Sequence, residues 1–142
     1  MADWCGTARS NYFHVRDEGA FRAWAEKRNL RVFERSGTEG SPKFFGVYSE
    51  DHYGGWPSLD IELEEDSGDG SIDLYAELAP HLLEGQIAVL MEIGAENHRY
   101  LTGVAVALDH TGKTAEITLD EIYKSAATAF GVDIGEITSC SY

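Results

Sequence analysis

The residues of this 142-residue chain whose type and spacing could do chemistry are, first, its carboxylates. Nine of them fall between Glu50 and Asp73, with no Lys or Arg among them. Inside that stretch Asp60, Glu62 and Glu64 alternate with Leu59, Ile61 and Leu63, the pattern of a strand with one apolar face and one wholly acidic face. Carboxylates at every second residue of a strand stand about 6.6–6.8 Å apart, close to twice the ~3.4 Å rise per nucleotide along one duplex strand. Such a row can imitate a track of phosphates and occupy the Lys and Arg groove of a nucleic-acid-handling protein. Asp51, Glu65, Asp66 and Asp69 extend the charge, and Tyr53 and Trp56, flanking Gly54 and Gly55, are candidate aromatic anchors. Trp56 has a competing reading in which it folds under and seals the core. Acidic residues in register along a strand repel one another, so burial of the opposite face or a partner must hold the arrangement.

Other chemistries fit less well. Glu65, Ser67, Asp69, Gly70 and Ile72 fall at the first, third, fifth, sixth and eighth positions of a calcium-binding loop, but the twelfth, which needs a bidentate Glu, is Ala76. A solvated acidic turn is the better reading, and no metal is expected. The histidines His14, His52, His81, His98 and His110 are scattered, without the paired spacing of a zinc site. Cys5, near Arg9, is the one thiol with a neighbour able to activate it, yet no base is implied beside it. Neither a dinucleotide fingerprint nor a Walker loop occurs, so no cofactor is expected.

The formal net charge is -14, and it is unevenly spread. Met1 to Lys43 holds eight Lys or Arg and six Asp or Glu, whereas Phe44 to Tyr142 holds three and nineteen. A surface of that sign repels nucleic-acid phosphates and anionic membrane and attracts basic partners, so direct nucleic-acid or membrane binding is not expected. Hydrophobic residues at 43% supply enough apolar material for one folded domain. The start lacks the basic and apolar pattern of a secretory signal, and no run approaches ~18 apolar residues, so a cytoplasmic protein is expected. Cys5 and Cys140 then read as free thiols, although nothing in the spacing settles whether they meet.

The elements that must position these residues follow from periodicity. Asn11–Arg16 alternates and reads as a strand. Asp17 caps a helix over Glu18–Arg28, and Leu30–Arg35 and Lys43–Ser49 read as strands. Leu59–Glu64 is the acidic strand, and Ile72–Glu84 a helix interrupted by Pro80. Ile87–Ile93 and Tyr100–Leu108 are apolar at nearly every residue, the pattern of central strands covered on both faces. Thr114–Thr118 completes a hairpin, and Thr118 with Glu121 makes a capping box for a helix Leu119–Phe130 stopped by Gly131. The expectation is a single α+β domain over 1–142, in the order β-α-β-β-β-α-β-β-β-α. It comprises a mostly antiparallel sheet of about seven strands, three helices mainly on one face, and a tail at 132–142. The opening β-α-β allows one parallel pair.

The stretches Cys5–Phe13, Tyr53–Trp56 and Ala88–Glu96 resemble a family of small acidic accessory proteins carried by bacterial phages, plasmids and conjugative elements. No established activity or catalytic residue comes with that family. The resemblance implies context: such proteins often act as counter-defence factors against restriction or CRISPR nucleases. The expected function is therefore a non-enzymatic binding protein whose acidic face occupies a basic site on a protein partner. The alternatives are an immunity protein against a nuclease toxin, and a small enzyme or ligand-binding domain with a pocket near Cys5, Arg9, Tyr12 and His14. A self-associating module, including a homodimer, is a further class, and an exposed apolar patch would be its sign.

Overall fold

The computed structural model describes residues 4–49, 55–57, 73–96 and 100–140. Its first strand, β1 (Trp4–Ser10), lies upstream of the alternating Asn11–Arg16 stretch, which forms no strand of its own. Phe13 and Val15 make only isolated bridges, to Phe45 and Leu82. Asn11 explains the correction. After a last backbone bond from the Asn11 amide to the Val89 carbonyl at 3.0 Å, its side-chain Nδ2 donates to the Ile87 carbonyl at 3.1 Å and its Oδ1 accepts from the Val89 amide at 2.8 Å, so the side chain takes over the ladder and the backbone turns away. Periodicity misses β1 because its core-facing residues, Ala8 and Ser10, are small. The buried Ser10 hydroxyl accepts from the Val47 amide at 2.9 Å and donates to the Asn11 carbonyl at 2.8 Å, so nothing polar is stranded.

The remaining described strands are β2 (Leu30–Arg35), β3 (Phe44–Ser49), β4 (Ile87–Glu96), β5 (Tyr100–Asp109) and β6 (Thr114–Thr118). With β1 they form a six-stranded sheet in the order β2-β3-β1-β4-β5-β6, antiparallel at every junction. The parallel pair that a β-α-β opening permits is absent among the described strands, because β3 and not β2 lies beside β1. The acidic strand expected at Leu59–Glu64 lies outside the described residues.

Among the described residues three α-helices accompany the sheet. Helix α1 (Glu18–Lys27) is capped as its sequence dictates, with the Asp17 carboxylate accepting from the Ala20 amide at 3.1 Å. Its Phe21, Trp24 and Ala25 are buried. Helix α2 (Leu74–Leu78) starts at Asp73, which accepts from the Ala76 amide at 3.1 Å, and gives way to a 3-10 turn at Ala79–His81. The interruption expected at Pro80 is present as two short helical pieces meeting there, because Pro80 has no amide to donate and its ring crowds the preceding turn; together they stop at His81, short of the expected Glu84. Helix α3 (Glu121–Phe130) ends at Gly131, whose φ of 66° is the left-handed conformation a glycine adopts without cost. Glu121 accepts from the Thr118 amide at 3.3 Å, one half of the expected capping box.

The core lies between α1, α2 and one face of the sheet. Phe13, Phe21, Val47, Leu78, Leu82, Leu90 and Leu108 are fully buried there, with Phe13 and Phe21 edge to face at 5.8 Å. The molecule is thus an α+β single domain with one helical layer on one sheet. The opposite face of β4 and β5 is bare, which corrects the reading of these strands as covered on both sides: Ile87, Met91, Ile93 and Leu101 all stand exposed. The helix that would supply a second layer, α3, buries no residue. Among the described residues no helix is long and apolar enough to cross a membrane.

Candidate functional site

Of the anticipated partner-binding residues, Asp51, Tyr53, Asp60, Glu62, Glu64, Glu65, Asp66 and Asp69 lie outside the described residues. Trp56 is described, and so are two anchor points of the acidic segment. The first is at Gly55 and Trp56. The Ser49 hydroxyl at the end of β3 donates to the Gly55 carbonyl at 2.6 Å, and the Trp56 amide donates to Glu92 on β4 at 2.9 Å. A Cβ at residue 55 would meet that Glu92 carboxylate and push it off the Trp56 amide. Trp56 itself packs against the core with its indole nitrogen buried, in keeping with the sealing role. The second anchor is Asp73, the cap of α2.

Beneath these anchors α1 and α2 are tied by one acid. Glu77 accepts from Arg28 Nε at 2.7 Å and Arg28 Nη2 at 2.8 Å, and from the Trp24 indole at 2.9 Å. Burial acts to raise the Glu77 carboxyl, but the hydrogen bonds from Arg28 and Trp24, with the charges of Arg28 and Lys27, outweigh it and hold its pKa below the usual range. His81 packs 5.6 Å from Trp24, and burial lowers its pKa against the opposing pull of Asp17.

The bare face of the sheet is where the described exposed side chains gather. Strand register sets Arg31, Tyr48, Arg9, Met91, Ala105 and Ile117 in one row across the sheet, and the row changes character midway. On the β2-β3-β1 side it is cationic and aromatic. Arg9 lies 4.7 Å over the Phe33 ring, and Arg35 lies 4.3 Å over Tyr12 and 5.1 Å over Phe44. Tyr12 meets Phe33 edge-on at 5.1 Å, and His14 stacks on Phe44 at 4.1 Å with its Nδ1 3.0 Å from the Lys43 carbonyl. These rings already carry their cations, so this half is a finished lattice. On the β4-β5-β6 side the row is apolar, with a shallow groove of about 510 Å³ bounded by Cys5, Thr7, Ile93, Ala95, Leu101 and Leu119.

The structure therefore separates the residues of the expected small pocket. Arg9, Tyr12 and His14 join the aromatic lattice, while Cys5 lines the apolar groove without them. Cys5 and Cys140 are both exposed free thiols. Among the described residues no group of His, Cys, Asp and Glu is placed to hold a metal. Sequence reasoning missed Arg31, Phe33, Arg35, Met91, Ile93, Leu101 and Ile117. The signal was present as period-two alternation: Arg31, Phe33 and Arg35 share one face of β2 while Leu30 and Val32 turn to the other.

No protein-family model matches the chain, and no curated protein or solved structure matches it.

Proposed function

We propose that the protein is a non-enzymatic binding protein whose acidic segment, residues 50–73, engages a basic site on a protein partner in the manner of nucleic-acid phosphates. The observation that carries the reading is the run of nine carboxylates without a single Lys or Arg. The geometry around it supports the same view. Both anchors, Gly55-Trp56 on Glu92 and Asp73 on α2, tether the segment to the rigid fold, which limits the entropy lost on docking. Several cations of the first half are already engaged within the fold: Arg22 by Glu18 and Glu34, Arg9 by Phe33, Arg35 by Tyr12 and Phe44. In this reading the protein acts in the cytoplasm as a counter-defence accessory factor, with Tyr53 as an aromatic anchor. An immunity protein would use the same physics against a toxin nuclease.

The test is capture of basic nucleic-acid-handling proteins from a bacterial host at low and high salt, followed by competition between the captured protein's duplex DNA and this chain. Capture that falls steeply with salt, DNA released on addition of the chain, and loss of both in the triple variant Asp60→Lys, Glu62→Lys, Glu64→Lys are the expected outcomes. Capture by the triple variant equal to that of the parent at every salt concentration would overturn the proposal.

A further inference from the structure

We infer that the protein is a two-fold homodimer in which α3 of each copy lies on the bare β4-β5-β6 surface of the other. Two unpartnered apolar surfaces occur on the same chain, and each is the kind of surface the other lacks. The sheet offers Met91 at 54%, Ile93 at 56%, Leu101 at 51% and Ile117 at 63% exposure. Ala105 and Ala107 lie between them on β5 and leave room for an incoming element, whereas Gly103 is already covered by the chain's own Leu119. Helix α3 offers Ile122 at 62% and Phe130 at 77%, with Ala126 between them at helical spacing. Ten residues are fewer than the ~12–15 at which an isolated helix becomes even marginally stable in water. This helix needs a surface, and none of its residues is fully buried against its own chain, only Tyr123, Ala126 and Ala127 being half-buried.

Charge favours a second copy over a foreign occupant. In a chain of net charge -14, the bare-face positions of β4 from Ile87 to Ala95 and of β5 from Leu101 to Ala107 carry no charged residue. Two mutually repelling copies can approach only where their shared charge is missing. Each copy supplies one helix and one face, so the contact is made twice. Seven side chains at least half exposed, Leu119 included, present on the order of several hundred Å² per copy, the scale of a standard interface at about 800 Å² per partner.

Sedimentation equilibrium of the full chain from about 1 to 100 μM should give the dimer mass, held or tightened at high salt because the contact is apolar and salt screens the repulsion between the two copies. Ile93→Glu and Phe130→Glu should each raise the dimer dissociation constant roughly 30-fold or more, without changing thermal unfolding of the dilute monomer, since both side chains face solvent there. In a background of Cys5→Ser and Cys140→Ser, a chain carrying Ile93→Cys mixed with one carrying Phe130→Cys should form a disulfide between chains. A monomer at every concentration would overturn the inference, as would a dimer untouched by both charge substitutions. So would an intrachain disulfide in a chain carrying both cysteines, which would place the helix on its own sheet.

Discussion

On the helix side of the sheet Ala8, Phe45, Val47, Leu90, Val106 and Leu108 are sealed, while one residue beyond Ala8, Val47 and Leu90 the side chains of Arg9, Tyr48 and Met91 meet solvent. The two faces are built from equally apolar sequence in β4, where Ala88 and Leu90 point one way and Ile87, Met91 and Ile93 the other. Composition along a strand therefore fixes what a face can bury, and the number of layers a chain supplies fixes what it does bury. Here the described residues supply one helical layer. The β2-β3-β1 half of the bare face meets that shortage by laying arginines over its rings, and the β4-β5-β6 half leaves it unmet.

The comparison can be broken most forcefully in the core. Phe21→Ala should cost about 3–5 kcal/mol, because it opens a cavity among Phe13, Trp24 and Phe45. Ile93→Ala on the bare face should change the stability of the dilute monomer by less than about 0.5 kcal/mol. Urea unfolding at constant slope measures both, and equal losses would erase the distinction between the faces. Next in size is Glu77→Ala, expected to cost about 2 kcal/mol through three lost charge-assisted hydrogen bonds.

The same helix-side network sets an acid limit. With its pKa lowered in the fold, Glu77 contributes fully above its ordinary value of 4.5, and that contribution fades as pH falls through the lowered folded value. His81, whose folded pKa lies below 6.5, favours the folded state fully above that value and progressively less as pH drops beneath it. A pH series of melting temperatures should therefore decline first below about 6.5 and again in the carboxylate range, and His81→Phe should flatten the first step. Smaller than the Glu77 loss, Arg35→Ala on the bare face should cost about 0.5–1 kcal/mol, the scale of an exposed cation–π contact.

Much of this architecture was legible residue by residue. Leu30–Arg35 and Thr114–Thr118 are strands with the bounds their alternation gives, Asp17 caps α1, and Gly131 stops α3. Each of these signals is local, resting on one side chain or a period of two. What escaped depends on distant partners. β1 is recognisable as a strand chiefly from its pairing with β4, and the exposure of Met91 and Ile93 follows from where α3 goes after Thr118. For the candidate site, the acidic alternation was visible at once, whereas the aromatic lattice was not, because Tyr12, Phe33 and Phe44 come together from three separate segments.

The place of β1 between β3 and β4 also governs how the sheet can assemble. The β2-β3 hairpin and the β4-β5-β6 meander are each made of near neighbours in sequence, but they join only through a strand whose partner residues run from Trp4 paired with Glu96 to Ser10 paired with Leu90. During synthesis the ribosome must release β4 before that central seam can close, so the two pieces wait on one long loop. The earliest-made strand has no second neighbour until β4 has been made.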